Sequence, residues 1–280
     1  MIGLIGAVAP IPDNASDRGG QPTVNTISVS IRSHFVVMAK GRVGHQGQPG
    51  DFIVDTGTAP TMINARVARE LGLETKAGPM IALGNLAAAQ TAVLPELVLG
   101  PIRAFSLPVQ VQDLTAWERK LEIPIAGIIG MDVLARASFS LVYDKRELQF
   151  GAVNEGGIPV SLDAQSGLPV VVGKVEGRAM RLLVDTGTDR VVLFGGNPKT
   201  IAGLALQNTT FEGFGVTGAM VSVRLFYAAD IELGGRHFSV AKGYVVPGAI
   251  ASGLDGLLGV RALSFRAIGY DQSRAVMYLR

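Results

Sequence analysis

Asp55 and Asp185 are the residues whose type and surroundings could do chemistry. Each follows three apolar residues and precedes Thr-Gly-Thr, in the stretches 52–58 and 182–188. The apolar residues predict a short buried strand that ends at the Asp, and the Gly permits the tight turn that follows. Two carboxylates that are brought together share one proton, so that one can accept a proton while the other donates one.

A single Asp-Thr-Gly would carry little information, because strand-to-turn junctions often contain Asp and Gly for backbone reasons alone. The two copies, however, belong to a longer internal duplication. Gly130 ends an Ile-Ile-Gly sequence 73 residues after Gly57, and Gly259 ends a Leu-Leu-Gly sequence 72 residues after Gly187. Two long copies predict two similar lobes and not a solenoid of many short repeats.

Glycine, proline and polar residues mark the borders of these lobes. They are frequent at 1–22, which we expect to be a flexible N-terminal lead-in, and at 154–167, which we expect to join the lobes. The predicted N-terminal lobe is therefore 23–153, and the C-terminal lobe is 154–280. The apolar start at 1–9 fits the remnant of a signal peptide, although it lacks the basic leader of one, so we expect an exported or periplasmic protein, with a cytoplasmic one as the alternative.

Strands are predicted for most of both halves, because apolar and β-branched residues alternate, as at 24–38. One helix is predicted over 64–72, where Asn can cap its start and Gly can stop it. A second short helix is predicted over 113–122, with Trp117 packed against the protein. Repeated prolines between 93 and 111 predict edge strands there.

The composition excludes several classes of site. With 25 basic and 23 acidic residues, the net charge of +2 is too balanced for a nucleic-acid surface. Cysteine is absent, and the three histidines lack metal-ligand spacing, so we expect neither a metal nor another cofactor. No apolar run reaches the roughly 18 residues that a membrane span requires. The histidines are His34, His45 and His237.

The motifs together resemble those of the aspartic proteases. The apolar strand ending in Asp-Thr-Gly at 55–57, with Ile-Ile-Gly at 128–130, is similar to that superfamily. Three features of the first lobe resemble the retropepsin group. They are the continuation into 62–64, the helical pattern at 65–73 and the sequence 130–134. Two lobes in one chain resemble the pepsin arrangement, so we expect a two-lobe, single-chain form of bacterial type.

The resemblance covers about residues 25–280 and is strongest in the first lobe. In the second lobe, 189–194 replaces the usual small residues, and Arg261 stands where the first lobe has Asp132. The fold that the resemblance implies is all-β, with two homologous lobes, each a closed β-barrel of the six-stranded type, and a few short helices.

The activity that the resemblance implies is that of an aspartic endopeptidase, in which a water is activated between Asp55 and Asp185 in the inter-lobe cleft. The first Thr of each motif would exchange hydrogen bonds across the lobes, and each Gly would let backbone N–H groups approach a carboxylate. The second Thr would offer a hydroxyl, which favours the charged carboxylate. These supporting residues are Thr56, Gly57, Thr58, Thr186, Gly187 and Thr188. The Ile-Ile-Gly segment at 128–130 and the Leu-Leu-Gly segment at 257–259 would pack beneath the two Asp-Thr-Gly loops and support them.

The family layout also implies mobile hairpins, called flaps, that close over substrate. The first would lie at 78–92 and the second around 211–215, and an ordinary exposed hairpin is the alternative in each case. The residues expected to contact substrate there are Gly84, Asn85, Phe214 and Gly215.

Other functions remain open from the sequence. A peptide-binding or scaffold protein with weak catalysis could keep this fold, although such a protein has no need of two repelling carboxylates. A site formed by a homodimer of first lobes is a further alternative, although we expect a monomer. A glycosidase would also use paired acids, but aromatic residues make up only 6% of the chain and Trp occurs once. The expected partner is a polypeptide substrate.

Overall fold

The computed structural model describes residues 25–82, 85–151, 153, 155–163, 167–197, 201–214, 220–247 and 253–280. The first half contains the strands β1 (Asn25–Arg32), β2 (Val36–Val43), β3 (Gln48–Val54), β4 (Met62–Asn64), β5 (Lys76–Ala82), β6 (Asn85–Leu99), β7 (Ile102–Gln112), β8 (Gly127–Ile129), β9 (Phe139–Val142) and β10 (Glu147–Phe150). The second half contains β11 (Ile158–Ser161), β12 (Val170–Val175), β13 (Arg178–Asp185), β14 (Val191–Phe194), β15 (Ala205–Phe214), β16 (Met220–Leu233), β17 (Arg236–Val246), β18 (Gly256–Gly259), β19 (Ala267–Asp271) and β20 (Val276–Leu279).

Each half closes six strands into a ring. In the first, the order is β2-β3-β8-β4-β7-β6, and the pairing of Val43 with Leu97 returns the ring to β2. In the second, the order is β12-β13-β18-β14-β17-β16, and the pairing of Val175 with Ile231 closes it. The structure therefore confirms the predicted all-β fold with two homologous, six-stranded closed lobes.

A further sheet joins the lobes, with the order β11-β20-β19-β9-β10-β1. Its central ladder is between lobes, because β9 pairs antiparallel with β19, from Phe139 opposite Tyr270 to Val142 opposite Ala267. The Phe139 and Tyr270 rings stack with their centroids 5.3 Å apart. The two halves thus share backbone hydrogen bonds as well as apolar contacts.

Helices are few and short, namely α1 (Ala65–Glu70), α2 (Thr115–Leu121), α3 (Met131–Leu134) and a 3-10 turn at Val260–Leu263. The predicted cap of α1 is confirmed, since the Asn64 side chain accepts a hydrogen bond from the backbone N–H of Arg66. Trp117 of α2 is buried, as expected. In the described part of the chain, no helix has the length and apolar character needed to cross a membrane.

The prediction of edge strands between 93 and 111 is confirmed only in part. Over 93–95 and 102–109, β6 and β7 pair only with each other. Strand β6 also pairs with β5 before this stretch and with β2 after it, and β7 pairs with β4 at its end. Pro108 lies opposite Val93 in this part of the ladder, whereas the ladder skips Pro95 and Ser106, and Ser106 has a positive φ of 47°. A proline at such an irregularity loses no ladder hydrogen bond.

Candidate active site

Both aspartates lie at the ends of buried strands, side by side with the Gly-containing segments predicted to support them. Strand β3 pairs in parallel with β8 and leads directly into Asp55, whose N–H donates to Ile129 O. Strand β13 pairs in parallel with β18 and ends at Asp185, opposite Gly259. Asp55 is 6% exposed and Asp185 is 4% exposed. The apolar leaders therefore hold two carboxyl groups in the interior.

Thr56 and Thr186 make four hydrogen bonds that bring the two loops together. The Thr56 hydroxyl donates to Val184 O at 2.8 Å and accepts from Thr186 N at 3.1 Å. The Thr186 hydroxyl mirrors this arrangement, donating to Val54 O at 2.9 Å and accepting from Thr56 N at 3.0 Å. All four bonds are buried and join residues about 130 positions apart. The cross-lobe exchange that the resemblance implied is thus present.

Each Gly lies against both carboxyl groups. Gly57 N donates to its own Asp55 Oδ1 at 2.8 Å, and Gly187 N donates to Asp185 Oδ1 at 2.6 Å. A Cβ atom on Gly57 would lie 2.6 Å from Asp185 Cγ, and one on Gly187 would lie 2.9 Å from Asp55 Cγ. These approaches are closer than a methyl group allows. Gly is therefore required for the two loops to meet.

The two carboxyl groups strongly influence each other. Burial raises the pKa of Asp185 well above its usual range, and the nearby Asp55 charge and a hydrogen bond between the two side chains raise it further. Two buried carboxylates close together cannot both ionise without a large electrostatic cost. The pair therefore holds one proton over a wide range of pH, which is the condition for one acid and one base.

Replacing Thr56 by Val should lower the free energy of unfolding by about 2–4 kcal/mol, since it leaves Val184 O and Thr186 N buried without their partner. Urea unfolding followed by tryptophan fluorescence measures this loss. The control is Thr56→Ser, which keeps the hydroxyl and should retain most of the stability. Equal losses in both variants would show that the hydrogen bonds are unimportant.

Two of the predicted flap residues, Asn85 and Phe214, belong to long antiparallel hairpins. Strands β5 and β6 pair from Lys76 opposite Thr91 to Ala82 opposite Asn85, and β15 and β16 pair up to Phe214 opposite Met220. Gly84 and Gly215 lie outside the described residues. Both hairpins are in the positions that the family layout implied, and their role over substrate stays a prediction.

The sequence interpretation missed a clamp behind the first Asp loop. Thr61 donates to Asp132 Oδ1 through its N–H at 2.9 Å and through its hydroxyl at 2.8 Å, and Gly130 N donates to Thr61 Oγ1 at 3.0 Å. Burial raises the pKa of Asp132. In the second copy, Val191 replaces Thr61 and Arg261 replaces Asp132. The signal in the sequence was that both positions change together between the two copies, from Thr with Asp to Val with Arg.

Arg261 instead contacts a tyrosine beneath the site. Its guanidinium carbon is 5.2 Å from the centroid of the Tyr143 ring, and its Nη1 donates to Phe265 O at 2.8 Å. Burial raises the pKa of Tyr143; Arg261 opposes the rise, and Asp185 and Asp55 add to it. The Tyr143 phenol is therefore neutral at every pH at which Asp55 and Asp185 share a proton.

The residues that the structure describes include no group of three or more His, Cys, Asp or Glu side chains that could hold a metal ion.

Comparison with known proteins gives two results. Residues 39–133 match the family model described as aspartyl protease. The aspartic proteinase from Irpex lacteus has a similar crystal structure, with a TM-score of 0.55 and 13% sequence identity, over 92% of this chain and 97% of that one. At this identity the likeness concerns the fold, and it extends over both lobes. No curated protein matches the sequence significantly.

Proposed function

Because the chain belongs to the aspartic protease superfamily, we propose that it is an aspartic endopeptidase whose catalytic residues are Asp55 and Asp185. The observation that carries the proposal is the joining of two buried carboxyl groups from different lobes by the Thr56–Thr186 hydrogen bonds. The substrate is an extended polypeptide that lies across the two loops.

The reaction needs one proton acceptor and one proton donor. The ionised carboxylate removes a proton from a water, whose oxygen attacks the scissile carbonyl carbon, while the protonated carboxyl donates to the carbonyl oxygen. As the C–N bond of the resulting tetrahedral intermediate breaks, the amine leaves with a proton from the protonated carboxyl, and the ionised carboxylate takes a proton from one hydroxyl of the intermediate. The products are a carboxylic acid and an amine, and the dyad again holds one proton.

The same geometry weighs against a protein that only binds peptides. Burying two mutually repelling carboxyl groups is unfavourable, and the close approach of Gly57 and Gly187 serves only to bring them together. A dimer of first lobes is also disfavoured, because Thr56 finds its partner, Thr186, within the same chain.

Turnover of a denatured protein, such as reduced casein, tests the proposal. We expect new peptide termini by mass spectrometry, and inhibition by pepstatin, an analogue of the tetrahedral intermediate. The control is Asp51→Asn, which removes a half-buried carboxylate paired with the exposed Lys40 and should leave cleavage unchanged. A folded protein that produces no termini between about pH 2 and pH 9 would refute the proposed activity.

Activity should be highest at acidic pH. Burial and the neighbouring Asp55 raise the pKa of Asp185, so this carboxyl keeps its proton above the usual range. Activity falls on the basic side as Asp185 loses that proton, and on the acidic side when both carboxyls are protonated. Initial rates on a peptide should thus give a bell-shaped profile with its maximum below neutrality. A rate that rises steadily from about pH 5 to pH 9 would contradict the expected loss of activity on the basic side.

A further inference from the structure

The two Asp-Thr-Gly loops differ from the residue after the Gly onward. The Thr58 hydroxyl donates to Asp55 Oδ2 at 2.7 Å. The Thr188 hydroxyl instead accepts from Arg190 N at 3.4 Å. The first loop then continues into Ala-Pro at 59–60, where the second has Asp-Arg. The second loop therefore carries two charges at a place where the first loop carries none.

Backbone contacts hold Arg190 beside the second aspartate. Asp185 lies opposite Gly259 in the β13–β18 ladder, and Gly259 N donates to Arg190 O at 3.0 Å. The next residue, Val191, is buried and begins β14. Arg190 is thus the last partly exposed residue of the loop before the chain enters the core again, at the same end of the sheet as the Asp185 carboxyl.

The Arg190 guanidinium is weakly paired. Its Nη2 lies 3.6 Å from Asp189 Oδ2, and its Nη1 lies 3.5 Å from Asp189 O. Ordinary N–H···O hydrogen bonds are about 2.7–3.2 Å long. Its Nε is buried, and no acceptor for it lies among the residues that the structure describes. Because the Arg190 side chain is 35% exposed and a guanidinium has five donor hydrogens, Asp189 leaves donors available to a ligand.

We infer that Arg190 is a specificity-determining residue of the proposed endopeptidase, and that it selects an acidic side chain on the side of the scissile bond over the second loop. A carboxylate matches the planar guanidinium and can accept two hydrogen bonds from it. A peptide without a carboxylate there covers the guanidinium without pairing it, which is unfavourable. Ala59 and Pro60 offer no such partner, so the selection is confined to one side of the bond.

Peptides that differ in one charge test this selection. Glu, Gln or Lys is placed in turn at each position from two to four residues on either side of the cleaved bond. At about pH 5.5, where Glu is ionised, the best Glu peptide should exceed its Gln analogue in kcat/KM by about fivefold, on one side only. Added salt should reduce this preference. Equal rates for the three residues, or a preference for Lys, would overturn the inference.

Variants of Arg190 show whether this residue reads the charge. Arg190→Gln should abolish the Glu preference, Arg190→Lys should keep most of it, and Arg190→Glu should reverse it in favour of Lys peptides. A reversal cannot arise from a general loss of folding. The inference fails if Arg190→Gln keeps the Glu preference or if Arg190→Glu does not reverse it.

The matched control is Arg236→Gln, which removes the same charge from an exposed arginine in the same lobe. Arg236 begins β17, about 25 Å along that strand from Tyr244, which pairs with Val192 next to the second loop. This variant should keep the full Glu preference. An equal loss of the preference in both Gln variants would show that the charge acts from a distance and not through a contact at Arg190.

The inference rests on the proposed function, and a binding measurement separates their failures. Statine-containing peptides, which imitate the tetrahedral intermediate and are not cleaved, can be compared in Glu and Gln forms by fluorescence anisotropy. Peptide cleavage without a charge preference would refute only the role of Arg190. Tighter binding of the Glu form by a folded protein that cleaves nothing would refute the endopeptidase and support the charge selection. Equal binding without cleavage would refute both.

Discussion

Replacement of Asp55 or of Asp185 by Asn is expected to lower kcat/KM by at least about 10³-fold, because either change removes half of one proton-sharing pair. Peptide cleavage by the purified variants measures the loss. Mixing the two inactive variants should restore nothing, since Thr56 and Thr186 join the two loops within one chain. An active Asp185→Asn variant would instead show that first lobes form the site between chains.

Loss of folding must be separated from loss of chemistry in these variants. A carboxyl whose pKa is raised by folding stabilises the fold while it keeps its proton, below the ordinary value of 3.8, and this contribution disappears as the pH rises through the raised pKa. Above the raised pKa the Asp185 carboxyl therefore contributes no net stabilisation. We expect Asp185→Asn to be at least as resistant to urea as the wild type at pH 7. A large loss of stability would invalidate the activity comparison.

Gly57→Ala and Gly187→Ala are expected to lower kcat/KM by about 10²-fold or more. The new methyl carbon would lie 2.6 Å from Asp185 Cγ in the first variant and 2.9 Å from Asp55 Cγ in the second. Carbon atoms in contact are normally about 3.5–4.0 Å apart, so the opposing carboxyl must move by roughly 1 Å. Displacements of that size are enough to disrupt catalytic alignment.

Single-turnover cleavage of a peptide measures this effect, and urea unfolding measures its structural cost. Neither glycine has a positive φ, so Ala is compatible with the backbone and the damage should be concentrated at the facing carboxyl. Each substitution acts on the aspartate of the other lobe, so the two variants test the same contact from both sides. Normal activity in both would mean that the loops do not approach as closely as described.

The paired aspartates could be predicted from sequence because the repeat itself carries the information. Matching Asp-Thr-Gly motifs with apolar leaders predicted two buried strand ends, and matching Gly130 and Gly259 predicted the segments that support them. Helix α1 could be predicted for a similar reason, since its Asn64 cap and its apolar spacing lie within one short stretch. In both cases neighbouring residues determine the structure.

Other features depend on residues far apart in sequence. The clamp between Thr61 and Asp132 joins positions 71 apart, and neither residue has a motif of its own. The motifs also made Thr58 and Thr188 look equivalent, yet their hydroxyls have different partners because the loops behind them differ. The outer partners of β6 and β7 are also distant in sequence, since β6 pairs with β5 and β2 and β7 pairs with β4, which the prolines do not indicate.

The ladder between β9 and β19 also sets when the site can first form during translation. Val142 of β9 is polymerised 125 residues before Ala267, its partner in β19. At about 5–20 residues per second, the emerging first lobe waits roughly 6–25 s with that strand unpaired and with Asp55 lacking its counterpart. The exposed strand is a hazard for aggregation in that interval. The same delay would keep the proposed protease inactive while its chain is still attached to the ribosome.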